Sequence, residues 1–250
     1  YEQKTYYRNG ASPMAAKPTA VTLSQGKAPA QSEVSYTLSL DGTWKMTSSG
    51  KAADLAAGKG WEKAYDATVP GSIYTPLVEA GVIPDPYVGD NMKRANQQSQ
   101  KSWYFLKTFT YEGKGERVQL DFEGICNVAD IYLNGKKISS HEGMFGGPFV
   151  DVTNIIKKGE NTLMVHLYPA KYYANTVVFN CSYGWHYAKL FPLGIWQSVT
   201  VRDLPSVTLD SPFITTVDHT KGTVDLAIEL DKQAGSSIAG ELTVSFTPKN

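Results

Sequence analysis

The architecture is constrained most strongly by the segment Ala129-Asp-Ile-Tyr-Leu-Asn-Gly-Lys-Lys-Ile138. Its first half has the two-residue alternation of a strand. The pair Asn134-Gly135 then readily takes the positive φ angles of a tight hairpin turn, and Lys136-Lys-Ile138 leads the chain back. The segment therefore predicts two antiparallel strands joined by a two-residue turn.

Short runs of the same period extend on both sides of this hairpin. Val118, Leu120 and Phe122 share one face, and the intervening polar residues predict that the opposite face is exposed to water. Further alternating sets are Leu163, Val165 and Leu167, then Trp196, Ser198 and Thr200 against Gln197, Val199 and Val201. Strands spaced regularly by turns predict an all-β, jelly-roll-like sandwich rather than βαβ units.

Helix is expected to be scarce. One short helix is predicted to begin at Thr75 as N-cap, with Pro76 at the first helical position and Gly81 placed to end it. The segment Pro84-Asp-Pro-Tyr-Val-Gly-Asp90 then excludes regular structure, because each proline restricts itself and the residue before it. Such a stiff loop could hold side chains for a ligand, or it could simply cross between sheets.

Composition shifts divide the chain into three parts. Residues 1–35 lack periodicity and predict an extended or mobile arm. Residues 36–204 hold the sandwich strands. Residues 205–250 alternate again, from Val224 to Leu230 and from Leu242 to Phe246, and predict the opening strands of an immunoglobulin-like sandwich. Because such a domain needs about 100 residues, we expect this last part to be truncated.

Charge and cysteine content restrict the partners. Lys plus Arg and Asp plus Glu both number 24, so no basic surplus favours nucleic acid. No stretch has the roughly 20 apolar residues of a membrane span. Cys126 and Cys181 lack the spacing of a zinc site; a disulfide and two buried thiols both remain open. We expect no metal and no cofactor.

No constellation in the sequence predicts catalysis by this chain. Glycoside hydrolysis with retention needs two carboxyl groups about 5–5.5 Å apart. The acidic candidates are Asp85, Asp90, Glu123 and Glu142, and nothing in the sequence pairs them. HExxH, GxSxG, P-loop and dinucleotide-binding motifs are missing, and the histidines are far apart in sequence. We therefore predict no catalytic residue.

The densest aromatic stretch is Tyr183-Gly-Trp-His-Tyr187, followed by Phe191-Pro-Leu-Gly-Ile-Trp196. Aromatic rings cover the apolar face of a pyranose while neighbouring polar groups bind its hydroxyls. Trp185 beside His186 is thus a candidate sugar platform. The alternative, that these rings fill one end of the sandwich core, is equally consistent with the residues.

Several motifs in order resemble glycoside hydrolase family 2, particularly its β-mannosidase and exo-β-glucosaminidase-like members, from about Ser39 to about Leu209. The matching segments are Leu40-Asp-Gly-Thr-Trp44, Val69-Pro-Gly-Ser72, Ile83-Pro-Asp-Pro-Tyr-Val-Gly-Asp-Asn91, Trp103-Tyr-Phe105, Phe122-Glu-Gly124, Ala129 to Gly135, Gly143-Met-Phe145, Phe149 to Thr153, Gly159-Glu-Asn161, Gly184-Trp185 and Gly194-Ile-Trp196.

The resemblance implies a sugar-binding jelly roll, an immunoglobulin-like domain and then a TIM barrel with the catalytic glutamates of a retaining β-glycosidase. In β-mannosidase-like relatives a Gly-Trp-Asp-Trp loop contacts the sugar. Here Trp185 keeps the ring, His186 replaces the carboxylate and Tyr187 replaces the second Trp. A neutral histidine offers one donor and one acceptor, so the resemblance leaves mannosidase specificity open.

The resemblance also makes Tyr87 and Asp90 candidate substrate-binding residues on the long loop. The resulting hypothesis is an accessory, non-catalytic carbohydrate-binding domain of a periplasmic or secreted β-glycosidase. Two alternatives stay open. One is a free-standing carbohydrate-binding or adhesion module, and the other is a sandwich that supports the barrel without touching sugar.

Overall fold

A computed structural model describes residues 36–115, 117–170, 190–205 and 207–232. The arm predicted over residues 1–35 lies outside the described residues. The strands are β1 (Tyr36–Ser39), β2 (Gly42–Thr47), β3 (Tyr65–Val69), β4 (Trp103–Tyr111), β5 (Val118–Phe122), β6 (Ile125–Cys126), β7 (Val128–Leu133), β8 (Lys136–Glu142), β9 (Phe149–Asp151), β10 (Gly159–Leu167), β11 (Gly194–Ile195), β12 (Val199–Asp203), β13 (Val207–Asp218) and β14 (Thr223–Lys232). The helices are α1 (Ala52–Ala56), α2 (Tyr74–Glu79) and α3 (Asn91–Asn96), with a 3₁₀ turn at Gln97–Gln100.

Two antiparallel sheets form the sandwich. One has the strand order β1-β12-β5-β9 and the other β3-β2-β4-β10-β7-β8. Apolar side chains from both sheets meet in one core, where Phe122 and Val199 of the first sheet and Trp44, Phe105 and Val165 of the second are almost fully buried. The all-β, jelly-roll-like sandwich predicted from the alternating runs is confirmed.

The hairpin predicted at Asn134-Gly135 is confirmed in detail. Both residues have positive φ, 52° and 80°, as a two-residue turn of this kind requires. The Asn134 side chain also ties the turn to β10. Its carboxamide oxygen accepts the Thr162 N–H at 3.0 Å, and its Nδ2 donates to Asn161 at 2.8 Å. The turn is therefore held by side-chain bonds as well as by backbone preference.

The expectation that the outer face of β5 is exposed to water is wrong. Asp121 is only 3% exposed, and it accepts hydrogen bonds from Arg202 at 2.5 Å and from Gln119 at 2.6 Å. Arg117 is also buried and forms an ion pair with Asp231 of β14. Polar residues on this face are covered because distant segments supply charge partners.

The outer face of the six-stranded sheet carries a row of cross-strand neighbours, Tyr104, His166 and Asp130, on β4, β10 and β7. The His166 ring stacks on Tyr104 at 4.4 Å and lies 4.2 Å from the ring of Tyr168. Asp130 accepts hydrogen bonds from Tyr168 and other neighbours. Burial and the Asp130 bond together raise the pKa of Tyr168 to about 12. Beside this row, Leu55 and Ala56 of α1 cover a small apolar cluster on the same face.

The short helix predicted near Thr75 is present as α2, but its start differs. Ile73 occupies the N-cap, and the helix begins at Tyr74, so Pro76 stands third rather than first. Proline is tolerated there because the first-turn N–H groups have no partner within the helix. Gly81 follows the helix with φ 68°, as expected. The loop from Pro84 to Asp90 contains no helix or strand.

β13 and β14 pair only with each other among the described strands. Most of their large apolar residues are exposed: Leu209, Phe213, Ile214, Val217, Val224 and Leu230. A two-stranded ribbon with uncovered apolar residues is marginal alone. The immunoglobulin-like sandwich over 205–250 stays a prediction, and its expected strand from Leu242 to Phe246 lies outside the described residues. Within the ranges given, no helix is long and apolar enough to cross a membrane.

Candidate functional site

Three chain segments meet at one end of the sandwich and build the floor of a groove. The Gly71 N–H donates to the Ile195 carbonyl at 2.7 Å, and the Ile73 N–H donates to the Leu193 carbonyl at 3.0 Å. On the other side, β11 pairs with β6, so that Gly194 faces Cys126. The three segments form a continuous backbone layer.

The close fit of this layer depends on glycine. A Cβ atom on Gly194 would lie 2.3 Å from the Gly71 carbonyl oxygen and 2.8 Å from the Ser72 Cα. Real Cβ contacts are not this short, and the neighbouring atoms are backbone that cannot swing aside. Any side chain at position 194 would therefore push β11 away from the Gly71–Ser72 segment of the floor.

Trp196 is held rigidly beside this floor. Its indole N–H donates to the Met144 carbonyl oxygen at 2.8 Å, and its ring meets Phe145 edge-on at 5.4 Å. Gly124 leaves room for the indole, since a Cβ there would lie 2.6 Å from Trp196 Nε1. The ring is half-buried, so part of its surface remains available to the groove.

Tyr87 reaches the same groove from the proline-containing loop. The Asp85 carboxylate accepts the Tyr87 N–H at 2.9 Å, and Asn91 Nδ2 donates to the Asp85 carbonyl at 3.0 Å. These bonds and the restricted φ of Pro86 hold the loop, while the Tyr87 side chain is 86% exposed. The loop thus presents an aromatic ring to solvent at the groove edge.

The aromatic groove, as we call this cavity, has a volume of about 370 Å³, within the range of small-molecule sites. Its described lining is mostly apolar: Gly71, Ser72, Tyr74, Tyr87, Met92, Cys126, Met144, Leu190, Pro192, Leu193, Gly194 and Trp196. Aromatic rings with a few hydroxyl groups suit a ligand that has both an apolar face and polar edges.

Among the described residues, neither an acid pair nor a metal site accompanies the groove. Asp85, Asp90, Glu123 and Glu142 are all exposed, and none belongs to its described lining. No group of three or more His, Cys, Asp or Glu residues within 36–115, 117–170, 190–205 and 207–232 could hold a metal ion. Burial lowers the pKa of His141, whose Nε2 lies 3.1 Å from the Gly143 carbonyl.

The structure thus brings together only part of the predicted site. Tyr87 lines the groove, whereas Asp90 is outside its lining and pairs with Lys93 at 3.5 Å on the surface. Trp185, His186 and Tyr187 lie outside the described residues, as does Cys181. The Cys126 thiol donates to the Pro192 carbonyl at 3.3 Å, and the disulfide stays a prediction.

Sequence reasoning gave no site role to Trp196, Met92 or Met144. The alternating pattern predicts that Trp196 belongs to a strand, but β12 begins only at Val199. The usable signal is a pair of glycines: Gly194 lies two positions before Trp196 in sequence, and Gly124 lies against its indole in the folded chain.

Known proteins with similar sequences belong to one group of glycosidases. Residues 44–203 match the family model described as glycosyl hydrolase 2 galactose-binding domain-like. The chain is 25% identical to a β-mannosidase of Mus musculus over 243 residues, covering 83% of this chain and 26% of that protein. It is 27% identical to an exo-β-D-glucosaminidase of Streptomyces avermitilis over 220 residues, covering 81% and 24%.

A solved structure shares the fold. The crystal structure of a β-D-mannosidase from Dictyoglomus thermophilum superposes with a TM-score of 0.63 at 28% identity, covering 79% of this chain and 26% of that one. The chain spans about a quarter of the length of the curated relatives that it matches. The similarity therefore concerns one region of much longer proteins.

Proposed function

The chain belongs to the glycosyl hydrolase 2 galactose-binding domain-like family, and we propose that it forms the non-catalytic, sugar-facing wall of a β-glycosidase. The observation that carries this proposal is the aromatic groove, in which Tyr87 and Trp196 present rings beside the Ser72 hydroxyl. Aromatic rings stack on the apolar face of a pyranose, and hydroxyl groups bind its edges.

The chemistry of hydrolysis is assigned to another part of the protein. Cleavage of a glycosidic bond requires an acid and a second carboxylate on either side of it. The groove's described lining offers neither. The relatives named β-mannosidase and exo-β-D-glucosaminidase are about four times as long as the region they share with this chain, which supports a separate catalytic domain. We propose a TIM barrel that follows in the same protein and hydrolyses its substrate with retention.

A free-standing carbohydrate-binding module is the competing function, and the same exposed aromatic ring of Tyr87 favours it. The two functions differ in what the chain does alone. A complete module binds oligosaccharide measurably in a calorimeter, whereas one wall of a composite pocket binds weakly or not at all. A sandwich that never touches sugar would instead tolerate changes in the groove without effect on substrate preference.

The test measures hydrolysis of 4-nitrophenyl β-glycosides by the 250-residue chain and by the full-length protein. We expect no turnover by the chain and turnover by the full-length protein. In the full-length protein, Tyr87→Ala should lower kcat/KM, because the ring is lost from the pocket wall. Phe149→Ala is the matched control, since Phe149 is 54% exposed but not in the groove lining.

Two results would overturn the assignment. One is appreciable hydrolysis by the 250-residue chain that disappears when a carboxylate such as Glu123 is changed. The other is an equal effect of Tyr87→Ala and Phe149→Ala on kcat/KM. We also propose a periplasmic or secreted location, where oligosaccharide substrates are met. Fractionation of cells with cytosolic and periplasmic marker enzymes tests it, and recovery with the cytosolic marker contradicts it.

A further inference from the structure

A second cavity lies on the other side of α3 from the aromatic groove. Its volume is about 520 Å³, and its described lining consists of Gly81, Val82, Ile83, Pro84, Arg94, Gln97 and Gln98. Met92 and Arg94 are two positions apart on α3, about 200° around the helix axis. Met92 accordingly lines the groove, whereas Arg94 lines the second cavity. We call this second cavity the arginine cavity.

Hydrogen bonds hold both walls of the arginine cavity. On one wall, the N–H groups of Val82 and Ile83 both donate to the Leu77 carbonyl, at 2.8 and 3.2 Å. On the other wall, the Gln98 carbonyl accepts the Lys101 N–H at 3.3 Å, and Gln98 Oε1 accepts a hydrogen bond from Lys101 Nζ at 2.9 Å. Because its oxygen is already bonded, the Gln98 carboxamide offers a ligand the donors on Nε2.

The charged groups at the arginine cavity are positive. The Arg94 side chain is exposed, and it takes part in none of the ion pairs that the described residues form. Lys101 brings a second positive charge to the Gln98 carboxamide. Residues 171–189, which lie outside the described part of the chain, contain neither Asp nor Glu and therefore offer Arg94 no counter-charge. The cavity thus combines a guanidinium group, amide donors and a nearby ammonium group.

We propose that the arginine cavity binds the carboxylate of an acidic saccharide unit, at a site separate from the aromatic groove. The planar guanidinium of Arg94 can donate two parallel hydrogen bonds to a carboxylate. The carboxamides of Gln97 and Gln98 suit the hydroxyl groups of the same sugar, and Val82, which is 46% exposed, offers apolar surface to its ring. That the ligand is a saccharide rests on the proposed function, whereas its carboxylate is argued from Arg94.

Two glycosides that differ only at C6 test the proposal. Methyl β-D-glucuronoside has a carboxylate there, and methyl β-D-glucoside has a neutral hydroxymethyl group. Binding to the ¹⁵N-labelled 250-residue chain is followed by NMR titration at about pH 7, where the carboxylate is ionised. We expect the glucuronoside to bind about fivefold more tightly than the glucoside, the upper end for an exposed ion pair. Added salt should reduce this difference, because it screens exposed charges.

Variants of neighbouring positions locate the site. Arg94→Gln should abolish the preference for the glucuronoside, because it removes the guanidinium. Lys93→Gln is the matched control: it removes the same charge one position away, where Lys93 pairs with Asp90 at 3.5 Å on the surface and is not part of the cavity's described lining. Arg94→Lys should keep only part of the preference, since an ammonium group lacks the planar fork that fits a carboxylate.

The proposal fails if the glucuronoside does not bind, if the two glycosides bind equally, or if Arg94→Gln and Lys93→Gln lose the same affinity. Displacement of the glucuronoside by inorganic sulfate at equal concentration would indicate a site for any oxyanion and contradict the assignment to a saccharide. Affinity lost in Tyr87→Ala but kept in Arg94→Gln would place the ligand in the aromatic groove, which removes the arginine cavity and leaves the proposed function standing. Hydrolysis by the 250-residue chain alone would instead remove the proposed function.

Discussion

Replacing His166 with phenylalanine is expected to flatten the dependence of stability on pH between about pH 7.5 and pH 5.5. His166 is 7% exposed, and its Nε2 has no hydrogen-bond partner among the described residues. The ring stacks on Tyr104 at 4.4 Å and lies tilted by 33° against Tyr168 at 4.2 Å. A proton on this buried ring would lose its hydration and leave Nε2 without a hydrogen-bond acceptor among the described residues, so the folded chain disfavours it.

The sign follows from the causes of the shift. Burial lowers the pKa of His166, while Asp130 raises it and Lys137 lowers it, and the net direction is downward. Between the folded and unfolded pKa the unfolded chain binds more protons, so stability falls as the pH drops below about 6.5 and levels off below the folded pKa. The largest loss of stability that His166 can cause depends only on its pKa in the unfolded chain, and it is about 1.4 kcal/mol by pH 5.5.

Urea unfolding at 25 °C, followed by far-UV circular dichroism at several pH values, measures this loss. Phenylalanine keeps the stack and removes the titrating group, so His166→Phe should lose less stability than the unchanged chain over this range, with an unchanged m-value. His219→Phe is the control, because His219 lies exposed in the turn between β13 and β14. The same pH slope in His166→Phe and in the unchanged chain would refute the reasoning, as would a slope abolished by His219→Phe.

Two further variants probe close contacts. Gly124→Ala places a Cβ 2.6 Å from Trp196 Nε1 and should destabilise the fold by about 1–3 kcal/mol through the lost indole hydrogen bond. In the double variant, Trp196→Phe should relieve part of this cost. If the losses of unfolding free energy from the two substitutions were strictly additive in urea unfolding, the packing argument would be contradicted. Tyr111→Phe removes the phenol that donates to Asp203, a carboxylate only 3% exposed, and should cost about 1–3 kcal/mol in the same assay. Tyr36→Phe, which loses only an exposed bond, should cost less, and equal losses would argue against a role for burial.

The sequence predicted the parts of the fold that depend only on residues near one another in the chain. The Asn134-Gly135 turn follows from the positive φ that these two residues tolerate, and β10 follows from Leu163, Val165 and Leu167, all fully buried. Alternation identifies which side chains share a face. It does not reveal what covers the opposite face, because the covering segment can come from anywhere in the chain.

β5 shows this limit in physical terms. Its polar face was expected to be wet, yet Asp121 is buried under Arg202, which lies 81 positions later, and Arg117 pairs with Asp231, 114 positions later. A charged side chain can be buried when a partner of opposite charge is brought to it. Such partners follow from strand order, which local periodicity does not contain.

The candidate site likewise has one part that the sequence predicts and one part that only the folded chain shows. Tyr87 was identified because a motif on one continuous loop resembles a known family. Asp90, three positions later on that loop, is turned into a surface pair with Lys93 instead. Trp196 lies 109 positions from Tyr87, and only the folded chain shows that both line one groove.

Three glycines connect the local sequence to the groove that the folded chain forms. Gly71, Gly124 and Gly194 each occupy a position where a Cβ would lie 2.3–2.6 Å from another atom, and all three border the groove floor or the Trp196 ring. Gly124 and Gly194 allow one segment to approach another that is distant in sequence, Gly124 at the Trp196 indole and Gly194 at the Gly71 carbonyl. At Gly71 the close atom is the carbonyl oxygen of Thr68 in the same segment. The rings that would meet a sugar are thus placed by residues that lack side chains. A sequence search for binding residues weights aromatic and polar positions, so it passes over the residues that create the groove.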